Sequence, residues 1–344
     1  MSNTLEKGRS IISEKIDKGQ LLDWNEFYQE VYLHFEDSAD MDQLKRWYDL
    51  IFNFSFLEDL PSNSEELLFH NTNFAQIKTK SSKSEFYHDF TQIDFQLMLS
   101  IAALKNDICW NLSKPFVSFF LTHKEIRFRV SLVHSSLTAD NSPKAFFRVL
   151  NSTPIDIKNY DYSNSLIKLI KEKKNIIIAG ATGSGKTTLT NSLINLMPES
   201  EHLLILEDTF ELVSNNLNTT RLLSSERKKG DLDSLLTYGL RMSPDRIVLG
   251  EMRSSEVSTF VQAMNTGHKG MLTTVHANSA QDALSRVALL FLMYANVELS
   301  YELVLKLICQ NIDHVVFIED KKIKKIIDVF GSEKSQIFFG DIAS

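Results

Sequence analysis

Residues 180–187 read Gly180-Ala181-Thr182-Gly183-Ser184-Gly185-Lys186-Thr187, a complete Gly-x4-Gly-Lys-Thr run of the Walker A pattern. These residue types suit one task, the cradling of phosphate. The glycines let the backbone curl so that successive N–H groups converge on an anion. A helix starting at the end of the loop adds partial positive charge at its N-terminus. Lys186 brings a full charge for the β and γ phosphates of ATP, the Thr187 hydroxyl suits Mg²⁺, and Thr188 carries the loop into the helix. The flanks fit this reading. Residues 175–179 (NIIIA) form a short apolar β run, and 188–196 read as a helix closed by Pro198.

Three further apolar runs end in polar groups. Residues 203–206 lead to Glu207-Asp208, 246–249 to Gly250-Glu251, and 270–275 to His276-Ala277-Asn278. In an open parallel sheet the carboxyl ends of the strands form the ligand crevice. Acids at that edge hold Mg²⁺ or its waters, or orient the attacking water. Glu207 is the preferred catalytic base, with Asp208 and Glu211 in support. Glu251 takes the acidic position after a Walker B strand and joins Thr187 on the metal, partly through water. His268 and His276, in NTGHKG and TTVHANS, read as γ-phosphate sensors or relays between strands. No third ligand type at workable spacing makes them a metal site.

These groups need a scaffold, and the chain divides by pattern. Residues 1–60 read as a helical N-terminal extension with Ile11, Ile12 and Ile16, and then Leu44, Trp47, Tyr48 and Ile51, near helical spacing. Pro61-Ser62-Asn63-Ser64 is a loop. Residues 64–150 read as a small α/β domain. It has a hairpin around Asn71-Thr72-Asn73, a helix over 90–104 with Ile93, Leu97, Ile101 and Leu104 apolar, and strands over 116–121 and 126–133. On the last strand Arg127 and Arg129 alternate with apolar residues, which puts both on one face. Residues 151–165 are polar, carry Pro154 and read as a linker. Residues 166–344 carry the phosphate loop on alternating strands and helices. The fold class is therefore α/β.

Composition narrows the function. The chain has 344 residues, 43% hydrophobic and 24% charged, with a net charge of −7. No basic stripe of the kind that marks a nucleic-acid binder is visible, so no direct nucleic-acid partner is expected. No apolar run approaches the roughly 20 residues of a membrane span. The chain is expected in the cytoplasm, touching a membrane only through partners. Cys109 and Cys309 lie too far apart in sequence for a metal-ligand pattern and read as core fillers.

The segments LLILEDTFEL (203–212), LRMSPDRIVLGEMR (240–253) and AMNTGHKGMLTTVHANSAQDALSRV (263–287) resemble the Asp box, Walker B and His box of the type II/type IV secretion ATPase superfamily. The wording is nearest to the tight-adherence (Flp-type) pilus and conjugation-type secretion ATPases. The resemblance implies a RecA-like P-loop domain, a smaller α/β N-terminal domain, and a homo-hexameric ring that turns over ATP with Mg²⁺. It also implies an inner-membrane platform protein as partner, with the ring peripheral at the cytoplasmic face of that membrane. By this resemblance Lys186 and Thr187 serve phosphate and metal, Glu207 and Glu251 catalysis, and His268 and His276 the His box. RFRV (127–130) matches the N-domain stretch whose arginines, Arg127 and Arg129, reach nucleotide. Arg148 matches the arginine that follows it, and Arg241 that of the LRxxPD element. The chain lacks the paired-cysteine element of the type II branch and the Ala-Ile-Arg-Ala-Gly element of the retraction branch. Ser243 stands where the nearest branches carry arginine. No role falls to Arg221 or Arg227. The implied function is a motor for pilus assembly or protein secretion. A retraction motor, a RecA-like nucleic-acid translocase and an ATP-binding ring component without turnover are the alternatives.

Overall fold

The computed structural model describes residues 3–32, 38–79, 81–87, 90–150, 154–224, 231–295 and 298–342. Arg227 lies outside them. The chain separates into two compact units, 1–151 and 152–344.

The first unit begins with helices α1 (Asn3–Asp17), α2 (Trp24–Tyr32) and α3 (Ser38–Phe52). Strands β1 (Ser64–Phe69), β2 (Phe74–Thr79) and β3 (Lys83–Tyr87) follow, then helix α4 (Gln92–Leu104) and strands β4 (Phe116–His123), β5 (Ile126–Val133) and β6 (Lys144–Leu150). The six strands form one antiparallel sheet in the order β3-β2-β1-β6-β5-β4. Asn71 closes the first hairpin, its side chain accepting from the backbone N–H of Asn73 and Phe74. Strands β3 and β6 were not evident in the sequence. β3 is an exposed edge strand, so burial imposes no alternation on it.

Helix α4 departs from the expected single stripe. Ile93 is exposed, while Phe95, Leu97, Met98, Leu99, Ile101, Ala102 and Ala103 are buried. A helix apolar on most sides lies inside a core. The three N-terminal helices supply part of the same core, with Ile12, Phe27 and Leu44 in one cluster with Phe69 and Phe147. Asp94 pins this packing. Its carboxylate accepts from Arg9 Nε and Nη2 (2.8 Å each), Trp47 Nε1 (2.7 Å) and Thr91 Oγ1 (2.6 Å). Burial alone would raise its pKa, but the Arg9, Thr91 and Trp47 donors outweigh that and hold it below the usual aspartate value. Asp94→Ala is expected to cost about 3 kcal/mol of stability, since it removes the buried acceptor shared by Arg9, Trp47 and Thr91. A fall in the urea midpoint of unfolding measures it. Because the folded value is depressed, the contribution of Asp94 is present above the ordinary aspartate range and disappears as pH falls through the folded value.

The second unit holds α5 (Ser163–Lys171), β7 (Ile176–Ala179), α6 (Lys186–Ile194), β8 (Leu203–Glu207), β9 (Thr219–Leu223), α7 (Leu232–Gly239) and β10 (Arg246–Leu249). It continues with α8 (Glu256–Asn265), β11 (Leu272–Val275), α9 (Ala280–Tyr294), α10 (Tyr301–Asn311), β12 (His314–Glu319), β13 (Lys322–Glu333) and β14 (Gln336–Asp341). The sheet order is β14-β13-β12-β7-β11-β10-β8-β9. The run from β12 to β9 is parallel, and β13 and β14 extend it as antiparallel hairpins. The central strands are buried on both faces, which is why they read as unbroken apolar runs. Ile177 and Ala179 face the core built with α8, α9 and α10, whereas Ile176 and Ile178 face that built with α5 and α6. Ile157, inside the expected linker, is buried in the latter core, and Ser192 Oγ donates to Ile155 O (2.6 Å). The two thiols differ. Cys309 is buried, and burial pushes its pKa up to about 11, while Cys109 is exposed, contrary to its expected place in the core. No described helix is long and apolar enough to cross a membrane.

Candidate functional site

The phosphate loop spans the turn from β7 to α6, in the middle of the parallel sheet. Two glycines are required there by geometry. A Cβ on Gly180 would lie 2.2 Å from Ile318 O and 2.6 Å from Ser184 Oγ, and Gly185, at the helix N-cap, has φ of 104°. Lys186 opens the helix and is buried. Its ammonium donates to Gly180 O (3.0 Å) and Ala181 O (2.9 Å) and lies 3.1 Å from His276 Nδ1. Burial lowers its pKa, and Glu251 partly offsets that. Ser184 Oγ is buried and is one of five such side-chain atoms, among the described residues, without a hydrogen-bond partner. A buried hydroxyl left without a partner within the glycine loop is a polar group that a bound ligand would satisfy.

Glu251, just past β10, meets His276, just past β11. Glu251 Oε1 is 3.1 Å from His276 Nε2, and Oε2 accepts from Arg253 Nη2 at 2.6 Å. Arg253 Nη1 reaches Asp208 Oδ2, past β8, at 2.6 Å. Parallel pairing brings these strand ends to one edge, with Leu249 opposite Leu206 and Thr273. A continuous chain results: Lys186, His276, Glu251, Arg253, Asp208. Burial lowers the pKa of His276, and Lys186 adds to this against the opposite pull of Glu251. A neutral ring with its proton on Nε2 fits both contacts, donating to Glu251 and accepting from Lys186.

Glu207 sits in the wall rather than in this chain. It is 3% exposed, and its Oε1 accepts from the backbone N–H of Glu211 (2.9 Å) and Leu212 (2.7 Å). Burial pushes its pKa up to about 7 against the pull of those two N–H groups. Gly250 leaves room for it, since a Cβ there would lie 3.2 Å from Glu207 Cγ. The loop after β8 also touches the phosphate helix. Asn191 Oδ1 accepts from Val213 N (2.8 Å), and Thr187 Oγ1 lies 3.4 Å from Glu211 Oε2. Thr187 thus faces Glu211, whereas Glu251 connects to the loop through His276 and Lys186. No cluster of three metal-ligating side chains exists among the described residues. A metal here would complete its coordination with phosphate and water, as Mg²⁺ commonly does.

Other expected residues lie elsewhere. His268 precedes β11 and therefore sits at the amino end of a strand whose carboxyl end carries His276. Its Nδ1 is 3.2 Å from Ala263 O, at the end of α8. Arg241 lies on the turn before β10, likewise at its amino end, over the ring of Tyr238 at 5.8 Å. Arg221 holds the β8 loop through Leu212 O (2.8 Å) and covers Phe210. In the first unit, Arg129 and Arg148 are direct cross-strand partners, and Arg148 Nε and Nη2 both donate to Glu66 Oε1 (3.1 and 2.8 Å). Arg127 shares the face of Arg129 on β5, as the alternation required. Sequence reasoning missed Arg253. Its only signal was its place two residues past the Walker B acid.

A model of the type II/IV secretion system protein family matches residues 115–336, more than half of the chain. The chain belongs to that family. Among curated relatives, the type IV secretion system protein VirB11 of Bartonella quintana (strain Toulouse) is 41% identical over 136 residues, 38% of each chain. The conjugal transfer protein TrbB of Rhizobium radiobacter is 36% identical over 177 residues, 49% of this chain and 52% of that one. The chain thus spans about half or less of the length of these relatives. Among solved structures, the pilus retraction motor PilT with bound ADP aligns at TM-score 0.61 and 19% identity, covering 83% of this chain and 81% of that one. The Legionella pneumophila ATPase DotB aligns at 0.58 and 17%, covering 88% and 79%. These two likenesses are likenesses of fold. For this family member they show that both the α/β unit with the phosphate loop and the smaller α/β unit have a known fold.

Proposed function

We propose that this protein is an ATP-hydrolysing motor of a type IV secretion or conjugation machine, working as a homo-hexameric ring beneath an inner-membrane platform protein. The observation that carries this reading is the chain from Lys186 through His276 to Glu251 at the mouth of the glycine loop, on a family member whose curated relatives serve secretion and conjugation. ATP supplies the phosphoryl group and Mg²⁺ offsets its charge. The N–H groups of 180–188 bind the phosphates. Lys186 exchanges the carbonyls of Gly180 and Ala181 for phosphate oxygens, and Thr187 and Glu251 serve the metal, Glu251 partly through water. Glu207 takes the proton of the attacking water, and His276 reports the γ phosphate to Glu251. We assign 64–150 to the N-domain, 166–344 to the motor domain, 151–165 to the linker and 1–60 to the N-terminal extension. Arg241 and His268, which face the other edge of the sheet, are proposed to act in the ring.

The N-domain face supports the ring reading. Like charges directly opposite on a sheet are unfavourable, yet Arg129 and Arg148 are direct partners, with Glu66 as counter-ion. Two guanidiniums side by side suit a phosphate. An arginine that stabilises the transferring phosphoryl is worth about 10³–10⁵ in rate. ATPase activity is therefore expected to rise with protein concentration, and Arg127→Ala, Arg129→Ala and Arg148→Ala to be slow while still assembling. Mixing any of these with Lys186→Ala would restore part of the activity if the arginine serves a neighbour's site. Full activity of all three variants, independent of concentration, would reject the ring mechanism. Co-purification with a polytopic membrane protein tests the platform.

A further inference from the structure

Arg253 lies on the turn between β10 and α8, and its guanidinium spans two acids, Glu251 Oε2 and Asp208 Oδ2, at 2.6 Å each. Those acids leave neighbouring parallel strands, about 4.8 Å apart, and would repel without a cation between them. The Arg253 side chain is 47% exposed, so its ion pairs contribute little to folding. The fold nevertheless fixes its base. Glu256, 1% exposed, accepts from the backbone N–H of Arg253 (2.5 Å) and of Ser254 (2.8 Å) and from Ser254 Oγ (2.6 Å). Burying a carboxylate is costly unless it is fully hydrogen-bonded, and here the three bonds all set the turn that aims Arg253.

We propose that Arg253 is a positioning residue that clasps Glu251 to Asp208 and so orients the Glu251 carboxylate toward His276 and Lys186. With Oε2 held by Arg253 and Oε1 facing His276 Nε2, both oxygens of Glu251 are directed. Asp208 opens the loop whose later N–H groups, at Glu211 and Leu212, are gripped by Glu207. The clasp therefore joins that loop to the end of β10. Its effect on rate rests on the ATPase reading above; the clasp itself does not.

Two measurements on the full chain separate the two. In steady-state kinetics Arg253→Gln should lower kcat by about 10²-fold, the scale of a misplaced reacting group, with KM for ATP changed by less than about threefold. Arg253→Lys should recover part of kcat, and added guanidinium should partly rescue Arg253→Ala. A merely structural role gives neither the split nor the rescue. In NMR spectra recorded without ATP, the Arg253 Nη protons should be resolved by hindered rotation in the wild type and averaged in Glu251→Gln and Asp208→Asn. Wild-type kcat in Arg253→Gln, or loss of ATP binding in that variant, overturns the positioning role. Averaged Nη signals in the wild type overturn the clasp. A wild-type protein with resolved Nη signals and no turnover would leave the clasp standing and remove the ATPase reading.

Discussion

Lys186→Ala is expected to abolish measurable ATP turnover, a fall of at least about 10³-fold, and to weaken ATP binding as well. The side chain is buried at the mouth of the loop, where its charge acts in a medium less screening than water. The ammonium already lies on two loop carbonyls and beside His276, so its removal takes a full positive charge from the loop. Folding should tolerate the change, because a buried lysine with a lowered pKa is a poor contributor to stability. Steady-state ATPase assays and titration with a fluorescent ATP analogue measure the two effects. Near-normal turnover would remove the phosphate-loop assignment.

Glu207→Gln should instead leave ATP binding within a few-fold of wild type and lower hydrolysis by about 10²–10⁴-fold, the range for a lost general base. The carboxylate's raised pKa gives a second test. The proposed role as base requires the deprotonated form, so the wild-type rate should fall as pH drops through about 7, and that limb should be absent in the residual activity of Glu207→Gln. Stability moves the other way. A glutamate whose folded pKa is raised favours the folded state fully below its unfolded value, and that advantage is lost as pH rises through the folded value. The interval from 4.5 to about 7 corresponds to about 3 kcal/mol. The variant should lack this slope in denaturation experiments run between those pH values. If binding and turnover fall together, Glu207 serves to hold the β8 loop through Glu211 and Leu212, and Glu251 becomes the better base.

The phosphate loop, the strand before it, the helix after it, and the arrival of Glu207, Glu251 and His276 at strand ends were all legible in the residue order. Those features are local: glycine spacing, short apolar runs and the residue that ends each run need no knowledge of distant contacts. The family followed from the same segments. The alternation on β5 likewise placed Arg127 and Arg129 on one face, since a strand reverses side at every residue. Which of these residues meet depends on how the strands are ordered in the sheet. His268 and His276 read as a pair, yet a strand separates them and sends one to each edge of the sheet. Arg253 looked like the end of a motif, and only the pairing of β8 with β10 brought Asp208 within its reach. Strand β3 carried no alternation because Phe86 alone among its residues packs on the core, and α4 hid its burial because it is apolar on most sides. The common reason is that period and spacing describe one element at a time, whereas an ion pair or a shared core depends on which elements lie side by side.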